Sequence, residues 1–178
     1  MHSSAVCAVM SVLSAQTIRS LCVDYYISAD GRQLAQTRPM ISPFVERGTA
    51  NGRSYGLSAC SYDVRIDHAL MLRPKHCALA STIERFIFPD DICGHVRDKS
   101  SLARRFVSVF NTHFDPGFEG FATIEIINHG QMSIEFERGD PLCQMVFSSL
   151  DEPTLYPYDG KYQDQERGPQ EARYEEAE

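Results

Sequence analysis

The sequence predicts a mainly β fold with few short helices. Short strand candidates recur at near-regular spacing between residues 62 and 147, and turn-forming residues separate them. Only Ser14–Leu21 and Ser100–Arg105 have the pattern of helices. This combination is typical of an all-β barrel or sandwich. A length of 178 residues favours one domain with a single core.

Three regions are expected along the chain. Residues 1–12 are predicted to form an N-terminal extension, and residues 13–162 the β domain. Residues 163–178 are rich in Glu and have no apolar periodicity, which predicts a flexible acidic C-terminal tail.

The first elements have clear local signals. Ser14 is a suitable N-cap for the first helix, and Ile18 and Leu21 would share one face of it. Gly48–Gly56 is rich in Gly, Asn and Ser, which predicts a loop.

From residue 62 onward the apolar pattern has a period of two residues. Tyr62, Val64 and Ile66 alternate with Asp63, Arg65 and Asp67, which predicts a strand with one polar face. The further strand candidates are Cys77–Thr82, Glu84–Phe88, Ile92–Val96, Val107–Phe110, Phe121–Asn128, Met132–Glu137 and Leu142–Phe147.

Composition excludes several classes of function. A net charge of −7 argues against a general nucleic-acid surface. No apolar run approaches the roughly 20 residues that cross a bilayer, so no membrane segment is expected. The six cysteines are scattered without a C-x-x-C pair, and Ser4–Ala15 lacks the basic start of a signal peptide. These features predict reduced thiols in a cytoplasmic protein.

A short basic segment, Lys99–Arg104, carries two adjacent hydroxyl groups at a predicted helix start. Its sequence is Lys99-Ser100-Ser101-Leu102-Ala103-Arg104. One interpretation is simple helix capping by serine. The other is that the hydroxyls, the helix N–H groups and the two cations hold phosphate oxygens. The local pattern alone favours capping.

Glu125 lies within an otherwise apolar strand. In Phe121–Asn128, the residues Phe121, Thr123, Glu125 and Ile127 share one face, and Ala122, Ile124 and Ile126 share the other. Alternation by itself favours a solvated face for Glu125. The alternative is a partly dry pocket in which this carboxylate performs acid–base chemistry. The pattern does not decide between the two.

Other polar positions remain open. The turn Asp115–Gly120, together with His113, could orient a sugar or a base, although a lone histidine more often has a structural role. By local pattern alone, the polar C-terminal residues Tyr158, Lys161 and Gln165 are interpreted as ordinary surface residues.

Several common catalytic motifs are missing. No histidine begins an H-x-E motif and there is no P-C-x-x-C, so the zinc machinery of common nucleoside deaminases is absent. There is no Walker-type G-x-x-x-x-G-K-[ST] motif. Cys93 and His95 form one metal-like pair without further predicted ligands, so no metal site is predicted.

Taken together, these segments resemble the dCTP deaminase family within the trimeric dUTPase-like superfamily. The resemblance covers about nine-tenths of the chain, and its specificity lies in the order and spacing of the motifs. The motifs are Ser54-Tyr55-Gly56-Leu57-Ser58, Tyr62-Asp63-Val64-Arg65, Phe88-Pro89-Asp90-Asp91, Lys99–Arg104, Asp115–Gly120, Thr123-Ile124-Glu125, Gly139-Asp140-Pro141, Gln144-Met145-Val146-Phe147 and Lys161-Tyr162-Gln163.

The resemblance implies a distorted jelly-roll, dUTPase-like β-barrel that forms a homotrimer with sites between neighbouring subunits. It also implies hydrolytic deamination of dCTP to dUTP and ammonia without a catalytic metal. Mg²⁺ would accompany the triphosphate, and dTTP is a candidate inhibitor. No nucleic-acid or membrane partner is implied.

By this resemblance, Glu125 is the general base that activates a water and shuttles protons. Ser100 and a backbone carbonyl near Thr112 or His113 would place the water. Arg104 would orient Glu125 and support charge on the ring.

The implied binding residues fall into three groups. The phosphates would be held by the basic segment, the sugar and base by the strands, and the nucleotide would be covered by the tail. These residues are Lys99, Ser101 and Arg104 for the phosphates, Asp115 for the 3′-hydroxyl, Thr123 and Ile124 for the base, and Tyr158, Lys161 and Gln165 for closure. Leu102 and Ala103 in the basic segment, with Thr112 and His113, are also expected to bind the substrate.

Two other functions remain open at this level. The first is dUTP hydrolysis to dUMP and pyrophosphate, alone or coupled to deamination, with Asp115 activating water. The second is a catalytically silent trimer with a regulatory or scaffold role. Retention of Ser100, Arg104 and Glu125 argues against the silent trimer.

Overall fold

Antiparallel strands are the main regular secondary structure. This computed structural model describes residues 11–23, 25–27, 33–35 and 38–174. The helices are α1 (Ala15–Val23) and α2 (Ser100–Ala103). The strands are β1 (Tyr25–Ile27), β2 (Gln33–Ala35), β3 (Ile41–Ser42), β4 (Gly48–Ala50), β5 (Arg53–Leu57), β6 (Tyr62–Arg65), β7 (Leu70–Leu72), β8 (Cys77–Ile87), β9 (Ile92–Asp98), β10 (Val107–Val109), β11 (His113–Phe114), β12 (Glu119–Asn128), β13 (Ile134–Phe136) and β14 (Pro141–Ser149).

Two main sheets form the framework. The larger has the strand order β11-β9-β14-β6-β5-β4, and the smaller has the order β10-β12-β8-β3. Two further two-stranded sheets, β1-β2 and β13-β7, lie outside them. Buried apolar residues from both main sheets belong to a single hydrophobic cluster, which includes Tyr62, Phe86, Ile124 and Phe147. The predicted mainly β fold with one core is therefore confirmed.

The first predicted helix is also confirmed. Ser14 lies just before α1, and its hydroxyl accepts a hydrogen bond from the Thr17 N–H at 3.4 Å. Ile18 is buried and Leu21 packs against the core, as the helical spacing requires. Neither of the two helices in the described ranges has the length and apolar character needed to span a membrane.

The Gly48–Gly56 segment is a β-hairpin, so the prediction of a loop there is wrong. β4 and β5 pair across a two-residue turn at Asn51 and Gly52, whose φ angles are 47° and 75°. Both turn residues therefore have the positive φ that a tight hairpin turn demands, and Asn-Gly is its usual sequence. The Asn-Gly signal could have identified this hairpin.

A single long strand replaces two predicted ones. Cys77–Thr82 and Glu84–Phe88 were expected to be separate, whereas β8 runs unbroken from Cys77 to Ile87. The pairing is irregular at this point, because β12 advances two residues from Phe121 to Thr123 while β8 covers four, from Arg85 to Ser81, so the bulge lies in β8. Thr82 stabilises this point, because its hydroxyl accepts a hydrogen bond from the Ala122 N–H at 3.1 Å.

The polar face predicted for β6 is not solvated. Asp63 is buried, and the side chains of Arg65 and Asp67 are only 13% and 11% exposed. Arg65 is paired with the fully buried Glu84, with Nε and Oε1 2.7 Å apart. Period-two alternation predicts that a strand has an apolar and a polar face. It does not predict whether the polar face is exposed, because other parts of the protein can cover it.

Candidate active site

The strand β12 presents Glu125 on the face that sequence alternation predicted. Its residues alternate strictly between half-buried and buried, and Thr123 and Glu125 lie on the half-buried face. Ile124 lies on the opposite face and is fully buried in the core. The expectation that Ile124 lines the base is therefore corrected, because this residue is fully buried and does not line the cavity beside Glu125.

Glu125 lines a cavity of about 450 Å³. Its wall is formed by residues from β11, β12, the turn after β11 and the C-terminal tail. Seven predicted site residues are among those lining it: Thr112, His113, Asp115, Thr123, Glu125, Tyr158 and Gln165. A half-buried carboxylate in a cavity of nucleotide size favours the functional interpretation of Glu125 over a solvated face.

Two contacts hold Glu125 in place. The Thr112 hydroxyl donates to Glu125 Oε2 at 2.9 Å. The Glu125 backbone carbonyl accepts from the Phe110 N–H at 3.0 Å, which ties the chain before Thr112 to β12. One carboxylate oxygen is therefore fixed by protein, and Oε1 remains for a water or a substrate.

Aromatic residues form a rigid wall on one side of this cavity. Phe118 packs edge-on against Tyr158, with ring centroids 5.9 Å apart. Phe118 also contacts Phe114 at 5.0 Å, and Phe114 stacks on Phe88. Since close-packed aromatic rings resist displacement, this wall can hold a base or sugar in a defined orientation.

The C-terminal tail crosses the same face of β12. Gln165 is buried, and its side-chain amide donates to the Phe121 carbonyl at 2.8 Å and to Thr123 Oγ1 at 2.9 Å. The Phe121 N–H donates to the Gln165 carbonyl at 2.9 Å. Gly120, with φ +144°, allows this approach, since a Cβ there would lie 2.7 Å from the Gln165 nitrogen. The Lys161 side chain is exposed, and its ammonium nitrogen lies over the Tyr162 ring.

The basic segment Lys99–Arg104 lies elsewhere on the protomer. β10 follows α2, and its pairing places Val107 opposite Asn128, about 10 Å along β12 from Glu125. Every residue of Lys99–Arg104 is described, and none lines the Glu125 cavity. The segment and the carboxylate are thus separate within one chain.

The serines of this segment do not cap α2, so the capping interpretation is wrong. Lys99 occupies the N-cap position and makes no side-chain capping bond. Ser100 is the first helical residue and is exposed. The Ser101 hydroxyl is buried, and it has no hydrogen-bond partner among the described residues. The exposed Ser100 hydroxyl is therefore accessible to a ligand, whereas the Ser101 hydroxyl is buried and unpaired among the described residues.

Lys99 and Arg104 have different environments. Lys99 is only 5% exposed, and its Nζ lies 2.6 Å from Asp63 Oδ2 on β6. Arg104 at the other end of α2 is exposed. Within the protomer, Arg104 is therefore the more available cation for a phosphate.

Cys93, His95 and His113 form a cluster beside the cavity, of which the sequence indicated only Cys93 and His95. His95 and His113 face each other across β9 and β11, with their Nδ1 atoms 3.2 Å apart. Cys93 Sγ lies 3.6 Å from His95 Nε2. Burial, His113 and Arg97 together lower the pKa of His95, which favours its neutral imidazole. The sequence shows the Cys93 and His95 pair, but only the pairing of β9 with β11 brings His113 beside it.

Comparison with solved structures defines the class of fold. The dUTPase of EIAV aligns over 68% of this chain and 98% of its own, with a TM-score of 0.51 at 17% identity. The dUTPase of Staphylococcus bacteriophage 80alpha aligns over 67% and 92%, with a TM-score of 0.51 at 15% identity. The chain thus has the dUTPase-like β fold.

Sequence comparison identifies the family. The family model described as dCTP deaminase-like matches residues 60–150. The "dCTP deaminase, dUMP-forming" of Methanosphaera stadtmanae is 35% identical over 147 residues, which is 79% of this chain and 71% of that protein. The dCTP deaminase of Campylobacter jejuni is 34% identical, covering 75% and 90% respectively. The chain belongs to the dCTP deaminase family.

Proposed function

We propose that this protein hydrolyses the exocyclic amino group of dCTP to give dUTP and ammonia. One observation carries the proposal. In a chain of the dCTP deaminase family, Glu125 faces a cavity of nucleotide size and is held there by Thr112. The catalytic role of Glu125 and the binding roles below are part of this proposal.

In the proposed reaction, Glu125 Oε1 takes a proton from water, and the oxygen attacks C4 of cytosine. The proton then passes from Glu125 to N3 of the ring. Glu125 next takes the proton of the new hydroxyl and delivers it to the amino group, the C4–N4 bond breaks, and ammonia leaves as the C4 carbonyl forms. Ser100 would help to place the water, and Arg104 would stabilise charge on the ring. A positioned base of this kind typically contributes a factor of about 10²–10⁴.

The rest of the cavity would orient the nucleotide. Asp115 is 58% exposed at the cavity wall, where its carboxylate can accept a hydrogen bond from the sugar 3′-hydroxyl. Thr123 would contact the base, and Tyr158 with Gln165 would close over it. Thr123 Oγ1 now accepts hydrogen bonds from Gln165 and from the Gln170 N–H, so the tail would exchange these bonds for ligand contacts.

Mg²⁺ is proposed to enter with the triphosphate. The phosphate segment Lys99–Arg104 contains cations and hydroxyls but no carboxylate. Phosphate oxygens and water would therefore be the main ligands of the ion, as is common for Mg²⁺ in nucleotide sites. The ion would neutralise charge on the triphosphate, while Ser101 and Arg104 bind the remaining oxygens.

A homotrimer would complete this site. No residue of Lys99–Arg104 lines the Glu125 cavity within one chain, so neighbouring subunits would contribute the segment and the carboxylate to one shared site. Apolar side chains next to α2 and β10 are exposed, namely Phe106 (67%), Phe110 (51%) and Met132 (79%). Phe106 also has a φ of 61°, an uncommon conformation for an aromatic residue. Contact with a second subunit would cover these side chains.

Mixing two inactive variants tests the shared site. Arg104→Ala and Glu125→Gln are each expected to be inactive, but refolding them together in equal amounts should restore activity. If each site takes Arg104 and Glu125 from different chains, random assembly leaves about one quarter of the sites intact. The measurement is ammonia release per subunit, with unmixed variants refolded in parallel as controls. Failure to recover any activity in verified mixed oligomers would contradict the shared site.

A bifunctional enzyme that forms dUMP is the second candidate. The Methanosphaera relative is named dUMP-forming, and here Asp115 and Glu125 line the same cavity. Asp115 would then activate a second water for attack on the triphosphate.

Product analysis separates the candidates. The protein should be incubated with dCTP and Mg²⁺, and the nucleotides separated by chromatography over time. Accumulating dUTP with an equal amount of ammonia is the expected result. Formation of dUMP and pyrophosphate would establish the bifunctional reaction. An absence of turnover with dCTP, dCDP and dCMP would refute the proposed deaminase activity.

A further inference from the structure

Three metal-binding side chains meet on the outer side of the nucleotide cavity. Cys93 and His95 are two residues apart on β9, so they lie on the same face of the strand. β11 pairs beside them and places His113 directly opposite His95. One donor atom from each of the three residues lies within 4.8 Å of the other two.

The spacing of these atoms is close to what a tetrahedral zinc ion needs. With Zn–N and Zn–S bonds of about 2.1 and 2.3 Å, donor atoms lie about 3.5 Å apart. The two Nδ1 atoms are 3.2 Å apart, and Cys93 Sγ lies 3.6 Å from the His95 ring at Nε2. These two distances involve different nitrogens of His95, and one donor atom from each residue lies within 4.8 Å of the others, so side-chain rotations are needed to bring the three donors onto one ion.

A carboxylate lies beside one of the imidazoles. His113 Nε2 lies 3.2 Å from Asp115 Oδ1. If Nε2–H donates to Asp115, the lone pair of Nδ1 points toward His95 and Cys93. This arrangement of carboxylate, histidine and ion is common in zinc sites, where the carboxylate fixes the ring and increases its basicity.

We propose that Cys93, His95 and His113 bind one Zn²⁺ ion, with a water as the fourth ligand. A site with one thiolate and two neutral imidazoles binds Zn²⁺ in preference to Mg²⁺, because Mg²⁺ favours oxygen ligands. Binding releases the Cys93 thiol proton to solvent, and neither oxidation nor reduction is involved. An open cavity of about 520 Å³, lined by Cys93, His95 and His113, provides the entry path.

Occupancy of this site would affect the neighbouring cavity. His113, Asp115 and Tyr158 line both cavities, so an ion that fixes His113 and attracts Asp115 changes the wall that faces the nucleotide. This consequence rests on the proposed function. If Asp115 binds the sugar, Zn²⁺ should raise KM for dCTP while Mg²⁺ is kept saturating. The ion is a modulator at the edge of the cavity and takes no part in the deamination steps.

Direct zinc binding tests the site without any nucleotide. The metal-stripped full-length protein should compete with a chromophoric chelator for Zn²⁺ and take up one tight equivalent per chain. His113→Gln should weaken this binding by at least about tenfold, because a direct ligand is lost. His113 is 46% exposed, so the variant is expected to fold. The matched control, His76→Gln, changes an exposed histidine outside the cluster and should bind zinc as the wild type does.

Co²⁺ identifies the sulfur ligand. Cobalt-loaded wild type should show a thiolate-to-cobalt charge-transfer band in the near ultraviolet, and Cys93→Ser should lack it. Cys60→Ser, which alters an exposed cysteine, should retain it. Equal zinc affinity of His113→Gln and His76→Gln, or a cobalt spectrum without the thiolate band, would overturn the proposal. Zinc binding without any change in KM would keep the site and refute only its effect on the nucleotide cavity.

Discussion

Replacing Glu125 by Gln is expected to lower kcat for dCTP deamination by at least about 10²–10⁴-fold, because the only proposed proton carrier is removed. The amide keeps the size of the side chain and can still contact Thr112. Nucleotide binding should therefore persist, with a Kd for dCTP within a few-fold of wild type. Ammonia release under single-turnover conditions measures the first quantity, and isothermal titration calorimetry measures the second.

Two companion variants make this experiment specific. Glu152→Gln removes an exposed carboxylate in the loop after β14 and should leave turnover unchanged. Thr112→Val removes the hydroxyl that donates to Glu125 Oε2 and should reduce kcat less than Glu125→Gln does. A Glu125→Gln enzyme with near wild-type kcat would exclude Glu125 as the general base.

Replacing Lys99 by Met is expected to reduce the free energy of unfolding by about 3–5 kcal/mol, because it leaves the Asp63 carboxylate buried without its cation. Asp63 is 5% exposed, and its Oδ1 already has no hydrogen-bond partner in the described structure. The pair joins the residue before α2 to β6 in the middle of the larger sheet. Equilibrium urea unfolding, followed by circular dichroism, measures the change.

A double variant separates the ion pair from a phosphate contact. Asp63→Asn together with Lys99→Met removes both charges and should recover much of the lost stability. If Lys99 also binds phosphate, the stabilised double variant will still bind dCTP more weakly than wild type. Lys161→Met, at an exposed site, should change stability by no more than about 0.5 kcal/mol. A Lys99→Met variant as stable as wild type would show that the ion pair is not structural.

The candidate site divides into a part that local pattern could predict and a part that it could not. The alternation in β12 correctly placed Thr123 and Glu125 on one face and Ile124 on the other. Turn residues and apolar spacing predicted most strands, since these signals act between neighbours in the chain. The interpretation of Ser100 as a cap was wrong, although serine favours that position, because the ion pair with Asp63 holds Lys99 there instead.

By itself, the sequence determined the mainly β class, the single core and the face on which Glu125 lies, because period-two alternation and turn chemistry are local properties. Only the tertiary structure decided which faces are covered, and it formed the ion pairs Asp63–Lys99 and Arg65–Glu84 beneath them. It also placed Gln165 against Thr123, and His113 beside His95. Such contacts depend on strand order and register between residues distant in the chain, which no local periodicity encodes.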